Sequence, residues 1–423
     1  MSEFSTGLEA RALALAVLDA ALNDRAPAEA RFAAEAAATR LEPRDRAFAR
    51  LLYTTVLRQK AVLDAALLPL LRHPPPHKSG MNLLRLGAAQ LLFLQTPPHA
   101  AVGQTVELAK KRRIVPPALV NAVLRRLVGR KPPVVDPLAT LPDWLRASWS
   151  TAYGVETAAA IATVLGQEPP LDLSVKTDVA GWAARLGGEV VGPLTVRLRE
   201  AGAIERLPGY RAGAWWVQDL AASLPARLVG AKPGMAMLDL CAAPGGKTAQ
   251  LVLAGAAVTA VEREPARAER LADNLERLGL KAEIVVGDAL DYAPKAPFDA
   301  VLLDAPCSAT GTIRRHPDIL WGKTEADVTR LAGLQGRLLD AAARLVRPGG
   351  TLVHAVCSLE PEEGPAVVEA FLVRHPGFER RAITEAETGL APTAAGDLRT
   401  HPALLAEKGG MDGFFIARFT KKS

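Results

Sequence analysis

The chain has 423 residues with a formal charge of +6 at pH 7, and 49% of its residues are hydrophobic. That length accommodates two or three domains, each with its own core, and the hydrophobic content excludes a largely disordered chain. Three cysteines, an odd number, exclude a simple disulfide framework and point to a reducing cytosol.

The N-terminus, Met-Ser-Glu-Phe-Ser-Thr-Gly-Leu-Glu, is acidic where a secretory signal would be basic. The longest uncharged stretch, Leu86 to Val106, is broken by Gln90, Gln95 and Pro97-Pro98 and makes a poor membrane span. A soluble, cytoplasmic protein without membrane contact is expected. Residues 1–140 hold 20 Lys and Arg against 11 Asp and Glu, so they carry the whole positive excess. A basic module joined to a slightly acidic one suggests that the first grips a polyanion. Charge alone leaves a solvated basic surface without a partner equally open.

From residue 8 to about 128, apolar residues recur at helical spacing: Ala10, Leu13, Ala14, Val17 and Leu18, then Phe48, Leu51 and Leu52, later Val120, Val123, Leu124 and Leu127. No strand-like alternation interrupts them, which predicts a helical bundle. Pro132, Pro133, Pro137 and Pro142 mark a linker. Two short helices then lead to a strand at Leu171–Lys176, a helix near Asp178–Leu186, and strands near Val190–Leu198 and Ala203–Leu207. A helix opening at Trp215 follows. This order predicts a small α+β subdomain. From Met235 onward strands alternate with helices, which argues for a parallel, doubly wound sheet. A last strand at Phe414–Arg418 is expected to insert late. The expected domains are 1–133, 134–230 and 231–423.

All three cysteines close apolar runs that read as buried strands. Cys241 ends Met-Leu-Asp-Leu-Cys, Cys307 lies in Leu-Leu-Asp-Ala-Pro-Cys-Ser-Ala-Thr-Gly, and Cys357 in Leu-Val-His-Ala-Val-Cys-Ser-Leu-Glu-Pro-Glu-Glu. In open α/β sheets that edge binds ligands, although three inert buried thiols are the bland alternative. After Cys241 come Ala242, Ala243, Pro244, Gly245, Gly246 and Lys247. The two glycines allow a tight turn and close approach of a ligand to the backbone. The following helix directs N–H groups at that ligand.

Glu262 ends the second strand, where a carboxylate can accept hydrogen bonds from ribose hydroxyls. Asp288 ends the third strand, within reach of an adenine amino group. The alternative is that both merely cap helices. The loop is neither Gly-x-Gly-x-x-Gly nor a Walker A loop, so dinucleotide and phosphate readings are weak.

These runs resemble the RNA cytosine-C5 methyltransferases of the Nop/Sun family: Asp-Leu-Cys-Ala-Ala-Pro-Gly-Gly-Lys-Thr, Asp-Ala-Pro-Cys-Ser-Ala-Thr-Gly and Cys-Ser-Leu-Glu-Pro-Glu-Glu stand in that order. The stretches beginning Asp45-Arg-Ala-Phe-Ala-Arg, Leu84-Arg-Leu-Gly-Ala-Ala-Gln and Leu119-Val-Asn-Ala-Val-Leu-Arg-Arg are similar to the NusB-like domain fused to bacterial Sun (RsmB-type) enzymes. The resemblance implies a Rossmann-like methyltransferase sheet that binds S-adenosylmethionine, preceded by an all-α NusB-like bundle. Cys241 to Lys247 would wrap the methionine and ribose, Glu262 would hold the ribose hydroxyls, Asp288 would lie near the adenine, and Asp304 would line the same pocket. The substrate it implies is small-subunit ribosomal RNA, with no metal, and we read the chain as a monomer.

Carbon 5 of cytosine is too weak a nucleophile to take a methyl group directly. Thiolate addition at carbon 6 turns the ring into an enamine, which splits one hard step into easier ones. Asp304 is placed to bond ring nitrogen 3 and the exocyclic amine. In the resembling RNA enzymes the nucleophile maps onto Cys357, and Cys307 assists release. The DNA cytosine-C5 enzymes, which attack from a Pro-Cys motif, would reverse these roles and leave Cys357 unexplained. Cys241 receives no chemistry.

Two positions depart from the family pattern: Val356 stands where Thr is usual and Gly364 where Asn is common. They put hydrogen bonds around Cys357 in doubt. The target must be single-stranded or flipped out of a helix. Arg314, Arg315 and His316 are candidates for phosphate contacts beside it, with a solvated loop as the alternative. Lys110-Lys-Arg-Arg113 and Arg125-Arg126 are candidates to hold RNA at a distance. Trp215 and Trp216 are expected to pack beneath a sheet rather than stack on bases. The competing function classes are a non-catalytic RNA-binding factor and a small-molecule methyltransferase.

Overall fold

The computed structural model describes residues 3–39 and 41–423, which divide into two compact units: one of residues up to Gln167 together with Ile313–Thr324, the other Glu168–Thr312 with Glu325–Ser423. The first is helical. Its helices span Glu3–Asn23, Ala28–Ala38, Pro43–Arg58, Lys60–Leu67, Lys78–Leu92, Pro98–Arg112 and Pro117–Arg125, followed by Asp143–Tyr153 and Val155–Leu165. Proline opens three of them at a position where the missing N–H costs nothing. Most of the predicted stripe is core: Val17, Leu18, Leu52 and Leu124 are fully buried, joined there by Leu57 and Leu83, whereas Leu51 is exposed.

The segment Ile313–Thr324 belongs to this unit through specific bonds. Trp321 Nε1 donates to the Leu57 carbonyl at 2.8 Å, and Lys60 Nζ lies 4.5 Å from the centre of the Trp321 ring. The Ala28 amide donates to Asp318 at 3.1 Å.

The second unit holds two sheets. The smaller has strands β1 (Leu171–Val175), β2 (Glu189–Gly192), β3 (Thr195–Leu198) and β4 (Trp215–Val217) in antiparallel order β2-β3-β1-β4. Three expectations need correction here. Val190–Leu198 is the antiparallel hairpin of β2 and β3 instead of one strand. Ala203–Leu207 forms a single 3-10 turn at Ile204–Arg206 instead of a strand, and Trp215 begins a strand instead of a helix. The helix starts at Leu220, after Asp219 accepts the Ala221 amide at 2.8 Å as its cap. Trp215 and Trp216 are buried, as packing residues. Arg197 and Asp172 form a two-bond ion pair, both at 2.7 Å, and Asp172 also takes the Leu220 amide.

The larger sheet has β5 (Ala236–Leu240), β6 (Ala257–Glu262), β7 (Glu283–Val286), β8 (Phe298–Asp304), β9 (Val346–Val356), β10 (Phe378–Arg380), β11 (Leu398–Arg399) and β12 (Phe415–Lys421). Its order is β10-β12-β9-β8-β5-β6-β7, with β11 paired to β12. The five strands β7-β6-β5-β8-β9 are parallel, and β12 runs antiparallel between β9 and β10. The late-inserted strand is thus present. Central strands are apolar on both faces because helices cover both: Leu238, Leu240, Leu302 and Leu303 are fully buried. Cutting one of these to alanine costs about 2–5 kcal/mol. The chain reverses direction across the sheet between β5 and β8, and the crevice at that switch point is where such sheets bind ligands.

Candidate active site

The carboxyl ends of β5, β6, β8 and β9 bring the sequence motifs together. Leaving β5, Cys241 adopts a left-handed conformation (φ +60°), which lets the chain fold back so that the Ala242 amide bonds the Val261 carbonyl of β6 at 3.2 Å. A non-glycine residue held there costs of order 1–3 kcal/mol. Gly245 follows at φ +98°, where a Cβ would lie 3.2 Å from Leu271 Cγ. Burial first, and then the charges of Asp304, Glu262 and Asp239, push the Cys241 thiol up to about 12. It stays a neutral thiol, consistent with no chemical role.

Glu262 is almost fully buried, and its carboxylate holds the turn: one oxygen takes the Ala243 amide at 3.3 Å, the other the Glu264 amide at 3.1 Å. Each oxygen keeps capacity for a further donor. Asp288 takes the Leu290 amide at 2.9 Å on one oxygen. Capping and ligand binding are therefore compatible for both.

Sequence reasoning missed two partnerships. Lys247 turns its ammonium to Asp304, Nζ to Oδ2 at 2.7 Å, and stands 5.3 Å from the centre of the Phe414 ring. Burial works against the charge on Lys247, but Asp304, by charge and hydrogen bond, together with the charges of Cys357 and Asp239, shifts it upward on balance. Asp239, in the middle of β5, is fully buried; it accepts the Thr248 hydroxyl at 2.6 Å and leaves Oδ1 without a partner. Burial raises its carboxyl to about 7 against the Thr248 bond, which lowers it. A lone aspartate in an apolar strand was the available signal.

Cys307 and Cys357, from β8 and β9, meet with their sulfurs 3.4 Å apart. The hydrogen bond to Cys357, burial, and the charges of Cys357 and Glu363 hold the Cys307 thiol well above its ordinary range. Either sulfur can donate the hydrogen bond between them. The Gly311 amide donates to the Cys357 carbonyl at 3.0 Å, and the Leu359 amide to Thr310 Oγ1 at 3.0 Å, which staples the two cysteine loops to each other.

The two departures from the family pattern have local explanations. Val356 is fully buried and pairs in register with Phe415. At Gly364 a Cβ would lie 2.8 Å from Phe415 Cγ and 2.9 Å from Arg399 Nη2. Arg399 fills that place, 4.9 Å from the centre of the Phe415 ring, and donates to the Ser358 carbonyl at 2.5 Å.

Arg314 is a correction. It is fully buried in the helical unit, where its carbonyl accepts Arg58 Nη2 at 3.1 Å, so its guanidinium does not serve as a surface phosphate contact. His316 is exposed and Arg315 half-buried. Lys110, Lys111, Arg112, Arg113, Arg125 and Arg126 are all exposed on the helical unit, as an anion-gripping surface requires. Among the described residues no helix is long and apolar enough to cross a membrane.

The comparisons with known proteins agree with this geometry. Residues 227–420 match the family profile of 16S rRNA methyltransferase RsmB/F, and residues 8–129 match the NusB family. The chain is 38% identical to ribosomal RNA small subunit methyltransferase B of Pseudomonas putida, over 97% of each chain. Against the protein of that name from Sodalis glossinidius it is 37% identical, over 90% of this chain and 91% of the relative. A solved structure of a methyltransferase homologue from Pyrococcus horikoshii is 27% identical and superposes with a TM-score of 0.57, covering 68% of this chain and 98% of that one. With its thiol pair, its Gly-Gly turn and relatives of this similarity along nearly its whole length, the chain belongs to the RsmB/F family of 16S rRNA methyltransferases.

Proposed function

We propose that this enzyme methylates carbon 5 of a cytosine in 16S ribosomal RNA, through a covalent bond between Cys357 and cytosine carbon 6. The observation that carries the reading is the thiol pair at 3.4 Å, with the Cys307 thiol held well above its ordinary range by Cys357 and burial. A thiolate must attack and a second group must later remove a proton, and two adjacent sulfurs supply both.

S-adenosylmethionine supplies the methyl group when bound. The residues fit it: the Cys241–Lys247 turn passes through left-handed Gly245, where a Cβ would crowd Leu271 at 3.2 Å, and Glu262 keeps acceptor capacity on both oxygens for ribose hydroxyls. Asp288 has the same capacity toward the adenine amine.

Cys357 bonds carbon 6, and the displaced electron pair moves to nitrogen 3, which takes a proton from the Lys247–Asp304 pair. Carbon 5, now enamine-like, accepts the methyl group. Bonding to carbon 6 also removes the charge on Cys357. The hydrogen bond and charge of Cys357 that hold the Cys307 thiol up vanish with it, while burial and Glu363 remain, and Cys307 passes its proton to water. The resulting thiolate takes the carbon-5 proton, the carbon 6–sulfur bond breaks, and Cys357 leaves as a thiolate while nitrogen 3 returns its proton.

We assign RNA affinity to residues 1–133, through the exposed Lys110–Arg113 and Arg125-Arg126 clusters. Residues 134–230 form the linker and small subdomain, and 231–423, apart from the Ile313–Thr324 segment that packs in the helical unit, the catalytic domain. The enzyme acts as a cytoplasmic monomer on a single-stranded or flipped cytosine. Bisulfite sequencing of 16S RNA from a deletion strain tests the reading: one cytosine should lose its protection and regain it on complementation. Unchanged protection at every cytosine would reject it.

A further inference from the structure

Glu363 is fully buried and, beyond its charge near Cys307, has no part in the chemistry above. Its carboxylate accepts four hydrogen bonds. Oε1 takes the Ser308 amide at 2.8 Å and Gln335 Nε2 at 3.0 Å; Oε2 takes the hydroxyl of Ser358 at 2.5 Å and also that of Ser308. Ser308 directly follows Cys307 and Ser358 directly follows Cys357. One oxygen is thus shared by the neighbours of both cysteines. Gln335 extends the same network to the Pro306 carbonyl, at 3.0 Å, on the other side of Cys307.

A buried carboxylate is costly unless its acceptor sites are filled, and here donors from both loops fill them. The choice of side chain follows from the donor pattern. Only an acceptor-only group receives two hydroxyl protons on one oxygen while taking two N–H groups on the other. An amide would present a donor to one of these pairs.

We propose that Glu363 is the positioning residue that sets the Cys307–Cys357 sulfur separation, acting through Ser308 and Ser358. The inference rests on the reading of both thiols as reacting groups. Addition to carbon 6 needs one sulfur; release needs the second sulfur at carbon 5 while the first is still bonded to the adjacent atom. Loosening the clamp therefore slows release more than addition. Glu363→Gln should lower kcat about 100-fold, the effect of roughly 1 Å of misplacement, with the KM for S-adenosylmethionine unchanged. A covalent protein–RNA complex should accumulate.

Phenylarsine oxide measures the clamp without reference to activity. The arsenical condenses with two neighbouring thiols, forming two arsenic–sulfur bonds and releasing one water. The wild-type enzyme should bind one equivalent through Cys307 and Cys357, reversibly with ethanedithiol, and Cys307→Ala should lose this chelation. Glu363→Gln should bind at least tenfold more weakly while retaining its melting temperature within a few degrees and its cofactor affinity. If Glu363→Gln fails to fold, Ser308→Ala and Ser358→Ala, which each remove one arm, should weaken the arsenical complex by a smaller factor. A folded Glu363→Gln, or folded serine variants, with undiminished arsenical affinity would overturn the proposal. A weakened arsenical complex in a protein whose Cys307→Ala variant traps no RNA adduct would leave the clamp standing and reject the assigned thiol roles.

Discussion

Asp239→Asn isolates the energetic cost of the cofactor turn. The aspartate is fully buried, one of its oxygens has no partner, and its carboxyl is raised from 3.8 to about 7 by burial. A raised carboxyl favours the protonated folded state. Its contribution to stability is complete below about pH 4 and is lost as the pH rises through 7. The difference between 3.8 and about 7 corresponds to about 4 kcal/mol at 1.36 kcal/mol per unit. Asparagine has nearly the same shape and can still accept the Thr248 hydroxyl, but it never ionises. The variant should therefore gain on the wild type by up to about 4 kcal/mol between pH 4 and pH 8, or roughly 10 °C in melting temperature. Chemical denaturation of both proteins across that range measures it. Parallel pH profiles would refute the assignment of a buried, ionising carboxylate to β5.

Three further outcomes are expected. Replacing Lys110, Lys111, Arg112 and Arg113 together by Gln should weaken RNA binding and lower the slope of log affinity against log salt by up to about 3, at about 0.7 per phosphate contact for single strands; cofactor affinity by calorimetry should not change. Gly364→Asn, which restores the residue common in the family, should cost about 1–3 kcal/mol in denaturation and lower kcat, because its Cβ would stand 2.8 Å from buried Phe415 and displace Arg399 from Ser358. Gly245→Ala should destabilise the protein by about 1–2 kcal/mol through its left-handed backbone and weaken cofactor binding in a titration.

The strand ends were legible because β5, β6, β8 and the second half of β9 are short, mostly apolar runs that stop at Cys241, Glu262, Asp304 and Cys357, and a buried parallel strand has no other pattern to offer. The helical stripe around Leu18 and Leu124 was legible for the same reason at a different period. The small subdomain was harder. Trp215-Trp-Val is too short to show a period, and only its pairing with β1 makes it a strand. The partnerships that matter most to the chemistry, Lys247 with Asp304 and Glu363 with Ser308, join residues 57 and 55 positions apart. No local pattern encodes them, since topology alone brings those strand ends together. Arg314 was misread because a basic residue beside a catalytic loop looks solvent-facing, whereas Trp321 and Asp318 anchor its segment to the helical unit.

The central claim is the division of labour between the two thiols, and a denaturing gel tests it most directly. Each single cysteine variant is incubated with 16S RNA and S-adenosylmethionine. Addition comes first and elimination last, so loss of the releasing base traps the product of addition. The account predicts a slow-migrating covalent complex from Cys307→Ala that forms only when cofactor is present, and none from Cys357→Ala. A complex from Cys357→Ala, with none from Cys307→Ala, would contradict it and make Cys307 the nucleophile.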